Sequence, residues 1–270
     1  MDIFWQTWEP SRLVFQLGKI SVHWYGLILV FAMLAGFFYV RPYFIKRSLL
    51  SRAQVDDLFF YVIMGGLLGA RLGHVLFFNF IYYWAHPLDI LKIWQGGLSI
   101  QGAVLFSALT LWWWCRKNRV SFWQITDHLV PGVALGQAIG RWGNYFNQEL
   151  YGRPTDSVIG IYISPDNRIV GFEKNEIFQP TFLYESLASL LLFIILIKLL
   201  KIGGKSKGFL SLVYLGGYSL IRFLMEFIRI DPTPLIFGLR LPQLISVLVI
   251  IIVLCVLKKY YLKPLPKPRI

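Results

Sequence analysis

The sequence predicts an all-α polytopic membrane protein with about seven transmembrane helices. Hydrophobic residues make up 56% of the 270-residue chain and charged residues only 15%, whereas a soluble domain carries about 25% charge. Apolar runs of about 20 residues, the length that crosses the hydrocarbon core of a bilayer, recur along the chain. This composition excludes a disordered chain, and two cysteines are too few for a disulfide-rich secreted scaffold.

Seven apolar runs qualify as spans. They cover approximately Val22–Val40, Leu58–Phe80, Leu98–Cys115, Phe122–Ile139, Thr181–Leu200, Phe209–Phe227 and Leu241–Leu257. The fourth run contains Asp127, His128 and Pro131, so we expect it to be tilted, broken or partly re-entrant.

Basic residues set the predicted orientation. The net charge of +13 lies in short clusters beside the apolar runs, which favours membrane topology over nucleic-acid binding. The clusters that follow spans one, three and seven and surround the end of span five are Arg41, Lys46, Arg47 and Arg52; Arg116, Lys117 and Arg119; Lys258, Lys259, Lys263, Lys267 and Arg269; and Lys198, Lys201, Lys205 and Lys207. The positive-inside rule then predicts an external N-terminus and a cytoplasmic C-terminus.

Two segments lie outside this alternation of spans and short loops. Residues Met1–Ser21 lack a basic start and a long apolar stretch, so we interpret them as a short outward segment and not as a secretory signal. Residues 142–178 are rich in Asn, Asp, Gly and Pro, and we predict a small external insert here within a single integral membrane domain, 1–270. Alternation predicts a short strand within Val158–Ile163, and Pro165–Asn167 predicts a turn.

Glycines recur every four residues in spans two and four, which predicts close helix packing. The two stripes are Gly65, Gly69 and Gly73, and Gly132, Gly136 and Gly140. Cys115 and Cys255 both map to cytoplasmic span ends, where a disulfide is not expected.

Ionisable residues in the sixth run form the first candidate site. Tyr218, Arg222 and Glu226 share one helical face, and Arg229 follows three positions later. Such residues are costly inside a membrane and mark functional sites by default. Two interpretations are open. Arg222 and Glu226 form an ion pair that neutralises itself and holds helices together, or Glu226 orients Arg222 to bind an anionic ligand.

The segment Gly140–Gly152 forms the second candidate site. It places four polar side chains at the predicted outer boundary, Arg141, Asn144, Asn147 and Glu149. A planar guanidinium matches a phosphate better than an ammonium group does. The alternative is an ordinary capped helix end with an arginine that extends to the membrane surface.

Two weaker sites map to the same predicted depth. Span one opens with His23–Gly26, and Ser99 and Gln101 follow a Gly-Gly turn at the start of span three. Because these positions and the two arginines all map to the outer half of the membrane, an anionic phospholipid of the outer leaflet is the expected ligand. The four histidines are scattered without ligand spacing, so no metal site is expected.

The segment Gly140–Gly152 closely resembles the signature of bacterial phosphatidylglycerol–prolipoprotein diacylglyceryl transferases. Other blocks of that family resemble segments of this chain in the same order, and the resemblance covers nearly its whole length. These segments are His23–Gly26, Gly69–Gly73, Trp94–Ser99 and Gly217–Arg229. The family has seven spans and an external N-terminus.

The resemblance implies transfer of the diacylglyceryl group of phosphatidylglycerol to the lipobox cysteine of a prolipoprotein, with release of glycerol phosphate. It implies a bacterial inner-membrane enzyme that acts toward the outer leaflet without a cofactor and without nucleic acid. The family's functional residues match Tyr25, Arg141, Asn144, Glu149, Gly152, Tyr218, Arg222 and Glu226. Among these we assign Arg141, Arg222 and Tyr25, together with Gln101, to catalysis; the others, with His23 and again Arg141, are assigned to phosphatidylglycerol binding.

One position departs from the family pattern. Relatives often carry a histidine, proposed as the base, where this chain has Gln101, and an amide cannot accept a proton at neutral pH. Either the base lies elsewhere or the histidine is not a general requirement. The signature also has Tyr145 where phenylalanine is usual.

Two other classes of protein share some of these features. A transporter of anionic lipids or solutes also needs arginines within the membrane, although the absence of internal repeats counts against it. A non-catalytic lipid-binding scaffold fits the external insert, but so does a platform for a peptide substrate.

Overall fold

A computed structural model describes residues 4–18, 20–202 and 206–260. Met1–Ile3, Lys19, Lys205, Lys263, Lys267 and Arg269, which belong to segments or clusters named above, lie outside the described residues. In chain order the elements are α1 Phe4–Thr7, β1 Leu13–Leu17, β2 Ile20–His23, α2 Trp24–Lys46, α3 Arg52–Phe77, α4 Phe80–Ala85, α5 Ile100–Lys117, α6 Phe122–Asn147, β3 Ile161–Tyr162, β4 Ile177–Phe178, α7 Thr181–Ile202, α8 Phe209–Met225, β5 Leu235–Ile236, β6 Leu239–Arg240 and α9 Leu241–Tyr260.

The prediction of a largely helical membrane protein is confirmed. Among the described residues, four helices are long and apolar enough to cross a membrane: α2, α3, α7 and α9. Helix α8 is apolar but shorter. Each of the seven predicted runs coincides with a helix, while the count of seven spans and the sides of the termini stay predictions.

The expected break in the fourth run is wrong, because α6 is continuous from Phe122 to Asn147 and contains Pro131. Its buried Asp127 accepts hydrogen bonds from Gly208 N at 2.6 Å and from Ser211 N at 2.8 Å. The first N–H groups of a helix have no partner within it, so Asp127 caps α8 from the neighbouring helix. The acidic residue therefore fixes the start of α8 and does not interrupt α6.

The chain divides into two compact units, residues 41–125 and residues 1–40 with 126–270. In the smaller unit α3 packs on α5 through its glycines, as predicted: a Cβ atom at Gly73 would lie 2.9 Å from Gly102 Cα. Buried Arg71 donates hydrogen bonds to the carbonyl oxygens of Ile90 and Gly96 at 2.8 and 2.7 Å, which holds the α4–α5 connection against α3.

In the larger unit the glycine stripe of α6 faces α2. A Cβ atom at Gly132 would lie 3.0 Å from Gly36 O, and one at Gly136 would lie 3.4 Å from Ala32 O. The prediction of close packing is confirmed at these two positions. Gly140 differs, because a Cβ atom there would meet no atom within 4 Å; the stripe therefore ends in open space beside Arg141.

The segment between α6 and α7 has its own small core. The predicted strand is confirmed but shorter: β3 pairs antiparallel with β4, and the predicted turn is a 3-10 helix at Pro165–Asn167. The buried residues of this core are Tyr145, Tyr151, Ile161, Ile163, Phe178 and Phe182. Because α6 extends to Asn147, the irregular part begins at Gln148, six residues after the predicted start of the insert.

The beginning of the chain forms a hairpin that the sequence analysis did not predict, in which β1 pairs antiparallel with β2. Ahead of it, the rings of Trp5 and Trp8 lie 5.7 and 5.8 Å from the ring of Tyr145. This segment thus packs on the end of α6. Cys115 and Cys255 are both free.

Candidate active site

Seven charged side chains of the larger unit form one buried network, here called the arginine cluster. Its members are Arg141 on α6, Glu185 on α7, Arg222 on α8, Glu226, Arg229 and Asp231 just after α8, and Arg240 on β6. Four guanidinium groups face three carboxylates, so the cluster itself carries a net positive charge.

Glu185 lies between two arginines. Its Oε2 is 2.6 Å from Arg141 Nη2 and its Oε1 is 3.2 Å from Arg229 Nη1. The side chains of Glu185 and Arg229 are each 3% exposed, whereas that of Arg141 is 19% exposed. Arg141 is therefore the accessible end of a row whose other two members are enclosed.

Glu226 lies between the other two arginines. It pairs with Arg222 through Oε1, and its Oε2 is 2.6 Å from Arg240 Nε. The Glu226 side chain is fully buried and that of Arg222 is 21% exposed. This second row repeats the first, with an accessible arginine in front of an enclosed carboxylate.

Asp231 joins the two rows. Its Oδ1 accepts a hydrogen bond from Arg229 Nε at 2.7 Å, and its Oδ2 is 3.5 Å from Arg240 Nη2. Arg240 Nη1 also donates to Arg229 O at 2.5 Å. Arg229 and Arg240 are thus fixed to each other as well as to their carboxylate partners.

This arrangement suits an anionic ligand. Each carboxylate is shared between two guanidiniums, so neither Arg141 nor Arg222 is fully neutralised by its partner. Both keep part of their surface accessible, and arginine forms strong paired hydrogen bonds with phosphate oxygens. The sequence left two readings open for Arg222 and Glu226, a structural pair or a ligand-binding cation. The ion pair is present, and because Glu226 also pairs with Arg240, ligand binding by Arg222 stays a prediction that this geometry allows.

Two tyrosines approach Arg141. Arg141 Nη2 donates to Tyr218 Oη at 3.4 Å. Tyr25, on the first turn of α2, lies within electrostatic range of Arg141 and Glu149. Its ring packs against Gly143, where a Cβ atom would lie 2.6 Å from Tyr25 Cδ2. The glycine of α6 therefore allows Tyr25 to reach this position.

Glu149 is held in a tight turn after α6. Its Oε1 accepts from Asn144 Nδ2 at 2.8 Å and from Asn147 Nδ2 at 3.3 Å. The residues on either side, Gln148 and Leu150, have positive φ angles of 51° and 58°, a region that side-chain-bearing residues rarely adopt. These two conformations turn Glu149 back toward α6.

The side chain of Gln148 ties this turn to the rest of the insert. Its Oε1 accepts hydrogen bonds from Ser164 N at 2.8 Å and Asn167 Nδ2 at 3.0 Å. Tyr151 Oη donates to Asn167 O at 2.7 Å, and burial raises the pKa of this phenol above its usual value. The unusual backbone at Gln148 is thus stabilised by the core of the insert.

Three other predicted site residues have different surroundings. Gly152 pairs with Arg229 in an isolated bridge, and a Cβ atom at this glycine would lie 2.8 Å from Ile228 Cγ2. There is no room for a side chain at Gly152, which therefore holds the backbone beside Arg229 and does not itself offer a group to a ligand. His23 is exposed at the end of β2, and its side chain makes no hydrogen bond to any described residue. Gln101 belongs to the smaller unit, where its Oε1 accepts from Ser99 Oγ at 2.8 Å.

The sequence analysis missed Glu185, Asp231 and Arg240, and noted Arg229 without assigning it to the site. Glu185 is the single acidic residue in the apolar helix α7, so the rule that singled out Glu226 could have found it. Asp231 and Arg240 lie outside the apolar helices, in the connection between α8 and α9. The rule about charged residues within apolar helices therefore does not apply to them. Asp231 contacts Arg229, and Arg240 contacts Glu226, because the chain turns after α8.

Comparison with known proteins shows the family of the chain. The family model described as prolipoprotein diacylglyceryl transferase matches residues 12–258. A protein of Synechococcus sp. (strain CC9902), named phosphatidylglycerol–prolipoprotein diacylglyceryl transferase, is 42% identical over 250 residues, which cover 88% of this chain and 89% of that protein. Two relatives of the same name are each 38% identical. The one from Synechococcus elongatus covers 91% of this chain and 86% of its own, and the one from Trichormus variabilis 97% and 94%.

Proposed function

The chain belongs to the prolipoprotein diacylglyceryl transferase family, and we propose that the arginine cluster is where it binds its lipid substrate. The protein is a transferase that moves the diacylglyceryl group of phosphatidylglycerol to a prolipoprotein. The acceptor is the thiol of the lipobox cysteine and the leaving group is glycerol phosphate. The observation that carries the assignment of the site is the pair of accessible guanidiniums, Arg141 and Arg222, each backed by a buried carboxylate.

The chemistry explains why two arginines are needed. The cysteine thiolate attacks the glyceryl carbon next to the phosphate, a C–S bond forms, and the C–O bond breaks with its electron pair on the phosphate oxygen. The phosphate then changes from a monoanion to a dianion. Arg141 and Arg222 therefore bind the transition state more tightly than the lipid itself, which is the condition for catalysis by electrostatic stabilisation.

The neighbouring side chains have orienting roles. Tyr25 directs the glyceryl carbon or the thiol, because in-line alignment of sulfur, carbon and oxygen decides the rate of such a displacement. Asn144 and Glu149 bind the polar part of the lipid, and Tyr218 and Glu226 hold the two arginines. The thiol must lose its proton, since a free cysteine has a pKa of about 8.5. The positive field of the cluster favours the thiolate without itself accepting a proton.

A direct assay tests this function. The purified protein is incubated with phosphatidylglycerol and a synthetic signal peptide that contains the lipobox cysteine, and the peptide mass is measured. We expect a gain of one diacylglyceryl group and no gain with a Cys-to-Ser peptide. A transporter or a lipid-binding scaffold would bind the lipid and leave the peptide mass unchanged, which would refute the assigned reaction.

The protein is proposed to lie in the bacterial inner membrane with seven spans and an external N-terminus. Residues 142–178 would then form an external platform for the peptide, within one membrane domain of residues 1–270. The basic clusters at alternate helix ends support this orientation. No cofactor and no nucleic acid takes part in this scheme.

Cysteine labelling tests the orientation. In a C115A/C255A background, a membrane-impermeant maleimide should label Val170→Cys on intact cells, since Val170 is 89% exposed in the insert. Ser206→Cys, which is exposed before α8, should react only after the cells are permeabilised. The opposite pattern would reverse the whole topology.

Gln101 is proposed to orient a substrate group by hydrogen bonding, and not to act as a base. Gln101→His should retain activity, because an imidazole also donates and accepts one hydrogen bond. Gln101→Ala should lower the initial rate by ~10–100-fold, the effect of losing one or two hydrogen bonds of ~1–1.5 kcal/mol each.

The pH profile of the Gln101→His variant decides between the two roles. A large gain in rate, with a new dependence near the histidine pKa of about 6.5, would show that this position houses the base. An unchanged profile would support the orienting role.

A further inference from the structure

Arg240 is held more completely than the other arginines of the cluster. Its Nε is 2.6 Å from Glu226 Oε2, its Nη1 donates to Arg229 O at 2.5 Å, and its Nη2 donates to Asp231 O at 2.6 Å and to Thr233 Oγ1. Each of the three guanidinium nitrogens therefore lies against a protein oxygen, so most of the donor positions of Arg240 are already occupied by the protein.

Arg222 is held differently, although it shares a carboxylate with Arg240. Among the described residues Glu226 is the one carboxylate that pairs with Arg222. The Arg222 side chain is 21% exposed and the Glu226 side chain is fully buried. Arg240 is nearly as exposed, at 16%, so the two arginines differ mainly in their partners: the guanidinium nitrogens of Arg240 are occupied by protein oxygens, whereas Arg222 keeps donors that a ligand can use.

The sharing of Glu226 between Arg222 and Arg240 changes the net charge near Arg222. If Glu226 paired with Arg222 alone, the pair would be neutral and would attract an anion weakly. Because Arg240 takes the second oxygen of Glu226, these three side chains together carry one positive charge, and Asp231 is 3.5 Å from Arg240 and not from Arg222. Inside a protein such a charge is felt more strongly than in water, since the effective dielectric constant is lower.

We propose that Arg240 is a positioning residue that, by sharing Glu226, prevents this carboxylate from neutralising Arg222 and keeps Arg222 directed toward the phosphate of phosphatidylglycerol. This inference rests on the proposed function of the cluster. Arg240 acts through Glu226 and does not touch the substrate. It also ties Glu226 to the turn at Arg229–Asp231, so both rows of the cluster depend on the same side chain.

A charge-restoration experiment tests the proposal. The full-length protein is reconstituted in phosphatidylcholine nanodiscs and phosphatidylglycerol binding is titrated for the wild type, R240Q, E226Q and the double variant R240Q/E226Q. R240Q should weaken binding by about tenfold, which corresponds to ~1.4 kcal/mol. The double variant should bind more tightly than R240Q, because without the carboxylate charge nothing offsets the positive charge of Arg222, while the amide that replaces the carboxylate still offers an acceptor oxygen.

A structural role predicts the opposite order. Loss of both partners would then weaken binding at least as much as R240Q alone, and this result would overturn the proposal. R240K provides a second variant that keeps the charge, should R240Q fail to fold. R240K should bind phosphatidylglycerol nearly as well as the wild type, and a loss equal to that of R240Q would also overturn the proposal.

Two controls separate this proposal from the function of the cluster. R41Q breaks a bidentate arginine–carboxylate pair with Asp56 in the smaller unit, and its phosphatidylglycerol affinity should equal that of the wild type. R222Q should lose phosphatidylglycerol binding. If R222Q binds the lipid normally, the proposed lipid site is wrong. If R222Q loses binding as expected but R240Q/E226Q binds no more tightly than R240Q, only the proposed role of Arg240 is rejected.

Discussion

Arg141→Ala and Arg222→Ala should each abolish diacylglyceryl transfer in an end-point assay while the protein still inserts into the membrane. Each arginine is partly accessible, and in the proposed site each binds the phosphate whose charge grows as the C–O bond breaks. Removing one group that stabilises a developing oxyanion lowers the rate by about 10²–10³-fold. Both the end point and the initial rate of peptide modification are measured, and membrane insertion is checked by fractionation.

Lysine at the same positions separates charge from geometry. Arg141→Lys and Arg222→Lys keep a positive charge but lose the planar fork that contacts carboxylate and phosphate together. We expect activities far closer to the alanine variants than to the wild type. Full activity of either lysine variant would show that a point charge suffices and would remove the argument for paired hydrogen bonds.

Glu185→Ala should reduce both stability and transfer. Glu185 is 3% exposed and lies between the guanidiniums of Arg141 and Arg229. Its removal therefore leaves Arg141 without its carboxylate partner and leaves Arg229 with Asp231 alone. Breaking a buried ion pair by removing one member costs about 3–5 kcal/mol. We expect a clearly lower thermal midpoint, followed by intrinsic fluorescence in detergent, together with loss of transfer.

Glu173→Gln is the matched control, because this carboxylate lies on the exposed surface of the insert and accepts a hydrogen bond from Gly171 N at 2.9 Å. Surface changes of this kind alter stability by about 0.5 kcal/mol or less. An unchanged midpoint in Glu185→Ala would mean that Arg141 and Arg229 find other partners. The two-row description of the cluster would then be wrong.

Local pattern was sufficient to predict the seven long helices, but not the short helices α1 and α4. Each apolar run of about 20 residues became a helix because a buried backbone has few other ways to satisfy its hydrogen bonds. The fourth run shows where local pattern fails. Asp127 and Pro131 suggested a break, but the partner that makes Asp127 favourable is the start of α8, 81 residues later in the chain. The β1–β2 hairpin was missed because its short strands carry weak alternation.

The candidate site was predictable in part for a similar reason. Arg141 and Arg222 were identified because a charged residue within an apolar helix needs an explanation. Their longer-range partners could not be derived from the sequence. Glu185 reaches Arg141 from another helix, α7, and Arg240 reaches Glu226 from the strand before α9. Spacing along one helix correctly paired Arg222 with Glu226, and longer-range pairing depends on how the helices pack.

The position of the two glutamates behind the guanidiniums also bears on tolerance of salinity. Dissolved ions screen exposed charges that are more than about 8 Å apart at physiological ionic strength, but buried pairs are screened much less. Lysines at helix ends, such as Lys258 and Lys259, feel the composition of the surrounding medium directly. Glu185 and Glu226 do not, because their side chains are almost or fully enclosed. The pairing of these two glutamates with their arginines should therefore depend little on the ionic strength of the medium.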